Sequence, residues 1–472
     1  MKVLYAASEA YPFAMSGGLA DVAGALPKAL RRRLVGCRVI MPLYSSISED
    51  LKKEMTFITS ITVPVSWRRQ YCGVFEARKD GVIYYFIDNQ YYFKREGLYG
   101  HFDDAERYAF FSRAVLEVLP AVDFKPDIIH CNDWQTALIP VYLDSMYRDN
   151  EFYSGIKTVF TVHNIQYQGK YGHEILGDVL GMPQDKEHLL EYDGCVNFMK
   201  GAFATSNRIT TVSPTYAHEI LDPYYSFGLD PILREMSGKL TGIVNGIDYD
   251  VYNPETDPMI YKNFSIENMA GKTDNKLGLQ EELGLPKDPD VAVIGMVSRL
   301  VNHKGFDLVK HVFEEIAQSR VQIVILGSGE WEYENFFREM QKKFPDKVAF
   351  RSGFIPALAH KIYAGADIFL MPSKSEPCGL AQLVALRYGT VPVVRQTGGL
   401  NDTIVDSGDG IGNGFTFGSY NAHDMEHAVW RALEGYYDTL GWEILRTRAM
   451  KCDNSWAKSA GEYIKLYKSL LK

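Results

Sequence analysis

Residues 291–305 read Val291-Ala292-Val293-Ile294-Gly295-Met296-Val297-Ser298-Arg299-Leu300-Val301-Asn302-His303-Lys304-Gly305, and the fold class turns on this stretch. Its first seven residues form an unbroken apolar run, so a strand there has both faces buried. That is the pattern of a parallel sheet covered by helices on both sides. The polar remainder reads as a loop leading into a helix. The same alternation continues in both directions. Earlier strand-like runs fall at residues 3–7, 38–42, 83–87, 127–130, 158–162, 209–212 and 242–244, and later ones at 322–326, 348–351, 368–371 and 391–394. Between residues 245 and 290 the pattern lapses into a polar stretch holding Pro254, Pro258, Pro286 and Pro289. Two series of βα units predict an α/β chain of two doubly wound, Rossmann-like domains facing across a deep cleft. The expected limits are residues 1–248 and 249–455, with a terminal helix over 456–472 packing back on the first domain. A short amphipathic piece at 277–285 is expected to open the second domain.

With 472 residues the chain is long enough for two such cores. Its net charge of −9 argues against nucleic acid as a partner, which needs a cationic face. No apolar run approaches the length of a membrane span. The six cysteines (Cys37, Cys72, Cys131, Cys195, Cys378, Cys452) are scattered without a C-x-x-C pair, the usage of a reducing compartment and not of a zinc site. The chain opens directly into a strand-like run with no leader ahead of it, so a cytoplasmic protein is expected, bacterial in type. A mature plastid protein has the same appearance.

Open α/β sheets bind ligands beyond the carboxyl ends of their strands, and the chemistry-bearing clusters fall at those positions. Ser16-Gly17-Gly18-Leu19-Ala20-Asp21 follows the first strand. Its glycines allow close backbone approach and place amides at a helix N-terminus, suited to a diphosphate or a sugar edge. Asp21, one turn on, suits a sugar hydroxyl. His130-Cys131-Asn132-Asp133-Trp134-Gln135 sets polar groups beside a Trp, as a sugar site needs, although Asp133 equally suits a helix cap. His163 and Asn164 end the strand at 158–162. In the second half, Arg299 and Lys304 can converge on a diphosphate and stabilise it as it leaves. Gly327-Ser328-Gly329-Glu330 is by itself no more than a turn. Pro372 to Gln382 contains Glu376 just before a helix whose first amides are those of Gly379 and Leu380, and this carboxylate either caps that helix or steadies charge on a transferred sugar. Cys378 has no evident His partner and reads as packing. Thr397-Gly398-Gly399-Leu400 is a second glycine pair, suited to sugar hydroxyls.

Taken in order, the motifs SGGLADVAGALPKAL, HCNDWQTALIP, FTVHNIQYQG, TVSPTYAHEI, IVNGID, SRLVNHKG, PSKSEPCGLAQL and RQTGGLNDTI resemble the bacterial and plant glycogen and starch synthases that use ADP-glucose (glycosyltransferase family 5), over essentially the whole chain. The resemblance implies a GT-B fold and transfer of glucose, with retention, to the non-reducing end of an α-1,4-glucan or maltooligosaccharide. It implies no cofactor and no metal ion. It makes Glu376, His163, Arg299 and Lys304 the catalytic residues. Ser16, Gly17, Gly18, Phe354, Tyr99, Cys378, Gly379, Leu380, Thr397, Gly398 and Gly399 fall on the donor side. Asp21, Asn132, Asp133, Trp134, Gln168 and Asn245 fall on the sugar and acceptor side. Val384 stands where related families carry a second carboxylate.

One position departs from the family pattern. Met15 occupies the place of the usual Lys before the first glycine pair. Thioether for ammonium removes one charge-assisted hydrogen bond, worth about 1.5–3 kcal/mol, or roughly tenfold or more in binding. The alternatives this raises are a glucan-binding relative with impaired turnover and the same chemistry with UDP-glucose. Oligomeric state is not written in the sequence.

Overall fold

The computed structural model describes all 472 residues, residue 409 by its backbone alone. The chain forms two compact units, Met1–Asn245 with Trp456–Lys472 and Gly246–Ser455. It passes into the second unit at Gly246 rather than at 249, because Ile247 N already donates to Asn454 O of that unit (2.9 Å).

The first unit is built on β1 (Lys2–Ala6), β2 (Gly36–Pro42), β3 (Thr56–Val65), β4 (Arg68–Lys79), β5 (Val82–Asp88), β6 (Ile128–Asn132), β7 (Lys157–Val162), β8 (Lys170–Tyr171), β9 (Glu191–Tyr192), β10 (Cys195–Asn197), β11 (Arg208–Thr211) and β12 (Leu240–Gly242). Its main sheet has the order β12-β11-β7-β6-β1-β2-β5-β4-β3. From β12 to β5 every pairing is parallel, and β5-β4-β3 is an antiparallel extension. Strands β8, β10 and β9 form a separate small sheet. The antiparallel pair lies outside the expected series for a simple reason. That series rests on runs apolar on both faces, whereas β3 is largely exposed and carries Pro64, which an edge strand tolerates because one side of its ladder is unpaired.

The second unit contains β13 (Ala292–Val297), β14 (Val321–Leu326), β15 (Val348–Arg351), β16 (Ile368–Met371), β17 (Val391–Arg395) and β18 (Phe415–Phe417). All are parallel, in the order β15-β14-β13-β16-β17-β18. Counted along the chain this is 3-2-1-4-5-6, the doubly wound dinucleotide-fold order. The parallel part of the first sheet follows the same order with a seventh strand added, 3-2-1-4-5-6-7, with β5 in third place. The helix opening the second unit runs Ala270–Leu283, longer than the 277–285 piece, and stops at Gly284, whose φ of 76° ends it in the left-handed region.

The terminal helix Trp456–Leu470 belongs to the first unit, where it packs against the Gly18–Arg32 helix. Its apolar face buries Trp456, Ala460, Tyr463 and Tyr467. Ser459 Oγ donates to Val244 O (2.6 Å), and Tyr467 OH bonds His130 Nδ1 in the sheet (2.6 Å). The other nitrogen of His130 bonds Thr161 Oγ1 (2.6 Å). Burial pushes this imidazole down to about 3, so it stays neutral and both ring nitrogens must be matched inside the protein. Tyr467→Phe is therefore expected to leave a buried ring nitrogen unpaired. The first unit should lose about 1–3 kcal/mol, read from its urea unfolding transition.

Candidate active site

The winding of the second sheet reverses between β13 and β16, and the loops leaving these two strands carry its polar clusters. They meet at contact distance. Gly305, at the end of the first loop, has φ 80°, and a Cβ there would sit 2.1 Å from Pro372 O, so only glycine fits. His303 O accepts from Lys374 N (2.9 Å). This lacing sets Lys304 Nζ 2.6 Å from Glu376 Oε2, an oxygen that also accepts from Ser373 Oγ (3.0 Å). Glu376 is only 7% exposed, so both partners hold it inside the protein.

Two expectations are corrected here. Glu376 does not cap the following helix, because its carboxylate is turned to Lys304 and Ser373. That helix begins at Ala381, so the amides of Gly379 and Leu380 precede it and are not its first turn. Cys378 is buried and packs beneath the Gly399 backbone.

Three further loops close on the same place. Gly398, after β17, has φ 44°, and a Cβ there would lie 2.0 Å from Glu376 O; Gly399 N donates to that same carbonyl (3.2 Å). Thr397, which precedes them, is buried. After β14, the turn at 327–330 closes the basic loop through Leu300 N to Ser328 O (2.9 Å) and Glu330 N to Leu300 O (2.7 Å). Arg299 is exposed on that loop. Burial, with Lys304 and Arg299 nearby, holds His303 below its usual range, so it adds no charge. After β15, Phe354 presents its ring to solvent at 78% exposure, following Gly353 at φ 121°.

In the first unit the reversal lies between β1 and β6. Glu9, the third residue after β1, is a site residue missed in the sequence. It is buried, and its carboxylate accepts from the backbone N–H of Ser16 and bonds Gly17 N and the Ser16 side chain. The Ser16 amide is thus already engaged within the protein. Burial pushes Glu9 up to about 7 and Asp21, in the first turn of the Gly18–Arg32 helix, up to about 6. Gly18 opens that helix, and Met15 is 45% exposed on the loop. Tyr99 is half-buried and tied to Ser8 Oγ (2.7 Å), a scaffold contact.

Beyond β6, Asp133 stands before the turn at Trp134–Thr136 but makes no cap bond. Its Oδ1 instead accepts from His163 N (2.7 Å) and Asn164 N (3.4 Å), and burial lifts it to about 7. The His163 ring bonds Asn132 Oδ1 through Nε2 (2.9 Å). Three residues assigned to sugar contact are taken up by the protein itself. Asn132 is fully buried and also bonds Tyr5 OH and Ala6 O. Trp134 is packed among Tyr108, Tyr171 and Phe198. Gln168 is buried, donating to Ile165 O and Phe227 O and accepting from Asn197. Asn245 differs: it is buried, yet its Oδ1 has no hydrogen-bond partner among the described residues, an acceptor left over for a ligand. Among the described residues no group of three His, Cys, Asp or Glu could hold a metal ion, and no helix is long and apolar enough to cross a membrane.

Comparison with known proteins agrees with this geometry. Residues 2–235 match the family model described as the starch synthase catalytic domain, and residues 280–443 that of glycosyl transferases group 1. A glycogen synthase of Geobacillus thermodenitrificans is 53% identical over 100% of this chain and 98% of its own length. One from Bacillus cereus is 52% identical over the full length of both. The catalytic domain of starch synthase IV from Arabidopsis thaliana, bound to ADP and acarbose, superposes with a TM-score of 0.92 at 35% identity, covering 99% of each chain. Sucrose-phosphate synthase from Thermosynechococcus elongatus (TM-score 0.61, 15% identity, 99% and 98% covered) shares the GT-B fold alone.

The raised carboxyl groups have a consequence for stability. A carboxyl whose folded value exceeds its unfolded one contributes stability that is present at low pH and lost as pH rises through the folded value. Between about pH 4.5 and 7 the protein should therefore lose stability through Glu9, by up to about 3 kcal/mol for a shift from 4.5 to about 7. Glu9→Gln, which keeps an acceptor for Ser16 N, is expected to flatten that slope and raise stability at alkaline pH, measured by urea unfolding across the range.

Proposed function

Since the chain belongs to the family of glycogen and starch synthases, we propose that its glucosyl transfer draws on ADP-glucose and extends the non-reducing end of an α-1,4-glucan with retention of configuration. The observation that carries this reading is the Lys304–Glu376 pair at the reversal point of the second sheet, with Arg299 exposed beside it. Arg299 and Lys304 are assigned to the donor's diphosphate, where they stabilise the charge that builds as the bond to C1 breaks. Phe354, an exposed ring, is assigned to the adenine, and the Thr397–Gly399 turn to the transferred glucose.

Glu376 is a poor nucleophile while Lys304 and Ser373 share its Oε2. Its role is electrostatic, facing the positive charge that develops at the anomeric carbon. Retention then follows from departure and attack on one face of the sugar. The C1–oxygen bond to the diphosphate breaks, the acceptor 4-hydroxyl oxygen bonds C1, and its proton passes to the departing diphosphate oxygen. No metal ion or cofactor is required in this scheme, since the loop's cations meet the charge. His163, Asp21 and Asn245 are assigned to the sugar side; Asn245 is supported by its unpaired Oδ1. Six cysteines with no disulfide among the described residues, together with bacterial relatives, support a cytoplasmic setting.

Met15 favours a second reading, glucan binding with weak turnover, because the loop lacks a cation there. Incubation with ADP-glucose or UDP-glucose and a maltooligosaccharide, followed by chain-length analysis, separates the two. Elongation with ADP-glucose is expected, reduced about 10²–10³-fold in Lys304→Ala and Glu376→Ala. Met15→Lys should strengthen donor binding roughly tenfold. Binding without elongation in every variant would instead support the second reading.

A further inference from the structure

The Asn132 side chain, which the sequence placed at the sugar, is enclosed by groups whose hydrogen-bonding roles are fixed. Its Nδ2 lies 2.9 Å from Ala6 O and 3.5 Å from His130 O. Backbone carbonyls only accept, so the amide nitrogen must face them. The amide oxygen is thereby directed to Tyr5 OH and His163 Nε2, each at 2.9 Å. An amide oxygen only accepts, so both of these groups donate to it. His163 accordingly carries its proton on Nε2, and Nδ1 holds a lone pair.

From this geometry we propose that Asn132 and Tyr5 are positioning residues that hold His163 as the neutral Nε2–H tautomer, so that Nδ1 accepts a hydrogen bond from a hydroxyl of the transferred sugar. The inference rests on the glucosyl transfer proposed above. The surroundings of the ring support a neutral imidazole. Burial alone pushes His163 down to about 3. From β1 the ring is approached through Asn132 by the Tyr5 hydroxyl, which stays protonated because burial raises it. From β6 comes His130, itself neutral. The loop after β6 brings Asp133, whose oxygen is occupied by the His163 and Asn164 amides and not by the ring. Glu9 acts on Asp133 from the loop after β1, and Tyr216 bonds Ile165 N from the Pro214–Glu219 helix. No carboxylate is bonded to the imidazole. The amide oxygen of Asn132 offers an imidazolium no countercharge.

The test compares wild type, Tyr5→Phe and Asn132→Asp by elongation kinetics across pH and by ¹⁵N resonances of histidine-labelled full-length protein. The His163 signals are identified by their loss in His163→Gln. In wild type Nδ1 should resonate as an unprotonated ring nitrogen throughout the neutral range, with no His163-linked step in kcat. Asn132→Asp sets a carboxylate against Nε2–H and favours the imidazolium. An acid limb should then enter its profile near neutrality, with kcat falling about tenfold per pH unit below it and recovering at alkaline pH. Tyr5→Phe should lower kcat about threefold or more with no new limb, since one donor to Oδ1 is lost while the tautomer is kept. An Nδ1–H or charged ring in wild type overturns the proposal. So does an Asn132→Asp profile that is only a scaled copy of the wild-type one. Should Asn132→Asp fail to fold, the wild-type ¹⁵N signature still decides. Absence of elongation in wild type would reject the transfer reading itself, which the resonance data do not touch.

Discussion

In a doubly wound sheet, strands are added first on one side of the starting strand and then on the other. Helices from the two series cover opposite faces. Where the direction changes, the two neighbouring strands send their loops apart and leave a crevice at their carboxyl ends. Both units have that arrangement, at β13 and β16 and at β1 and β6. The strands are so thoroughly apolar that polar side chains have few places to go besides their ends. Lys304 and Glu376 leave the two strands flanking one reversal, and Glu9, Asn132 and Asp133 leave the two flanking the other. The chemistry is collected by topology before any side-chain contact is made.

The two crevices solve the burial of charge in opposite ways. In the second unit an acid is paired with a base at 2.6 Å. In the first unit three acids, Glu9, Asp21 and Asp133, have no basic partner among the described residues, and burial raises each of them. Their oxygens are used to organise backbone: Glu9 holds the glycine loop, and Asp133 holds the chain at His163. The first crevice thus carries acids held by burial and backbone amides, and the second carries an ion pair. Met15 fits this division, since it keeps a cation out of the loop that Glu9 holds.

The fold was legible in the sequence because buried parallel strands announce themselves as runs such as 291–297. The β3–β4 hairpin was not, since its strands are half-exposed and obey a weaker alternation. In the second unit, site residues follow their strands directly, and spacing was enough to place Arg299, Lys304 and Glu376 on converging loops. What spacing could not supply is the partner of each group. Glu376 reads equally well as a cap or as a carboxylate steadying charge on a sugar, and its pairing with Lys304 shows only once Gly305 is seen pressed against Pro372. Glu9 offered one signal, an acid immediately after the first strand, but its hold on Ser16 depends on a turn that the sequence does not specify.

The motif at 130–135 shows why such readings overreach. Asp133 has φ 55° and ψ −179°, a region that non-glycine residues rarely occupy and that costs about 1–3 kcal/mol. The conformation is held by Asp133 N bonding Thr161 O and by its carboxylate receiving the amides of His163 and Asn164. These bonds lock the loop after β6 to the loop after β7. Asn132, one residue earlier, then meets the imidazole from below, with Tyr5 fixing the amide from β1. A ring held at both its backbone and Nε2 has little freedom left to lose, which lowers the ordering cost of the sugar contact proposed for it. The strain at Asp133 thus resides where it orients His163. Residue by residue, Asn132 and Asp133 of that motif are engaged in holding His163.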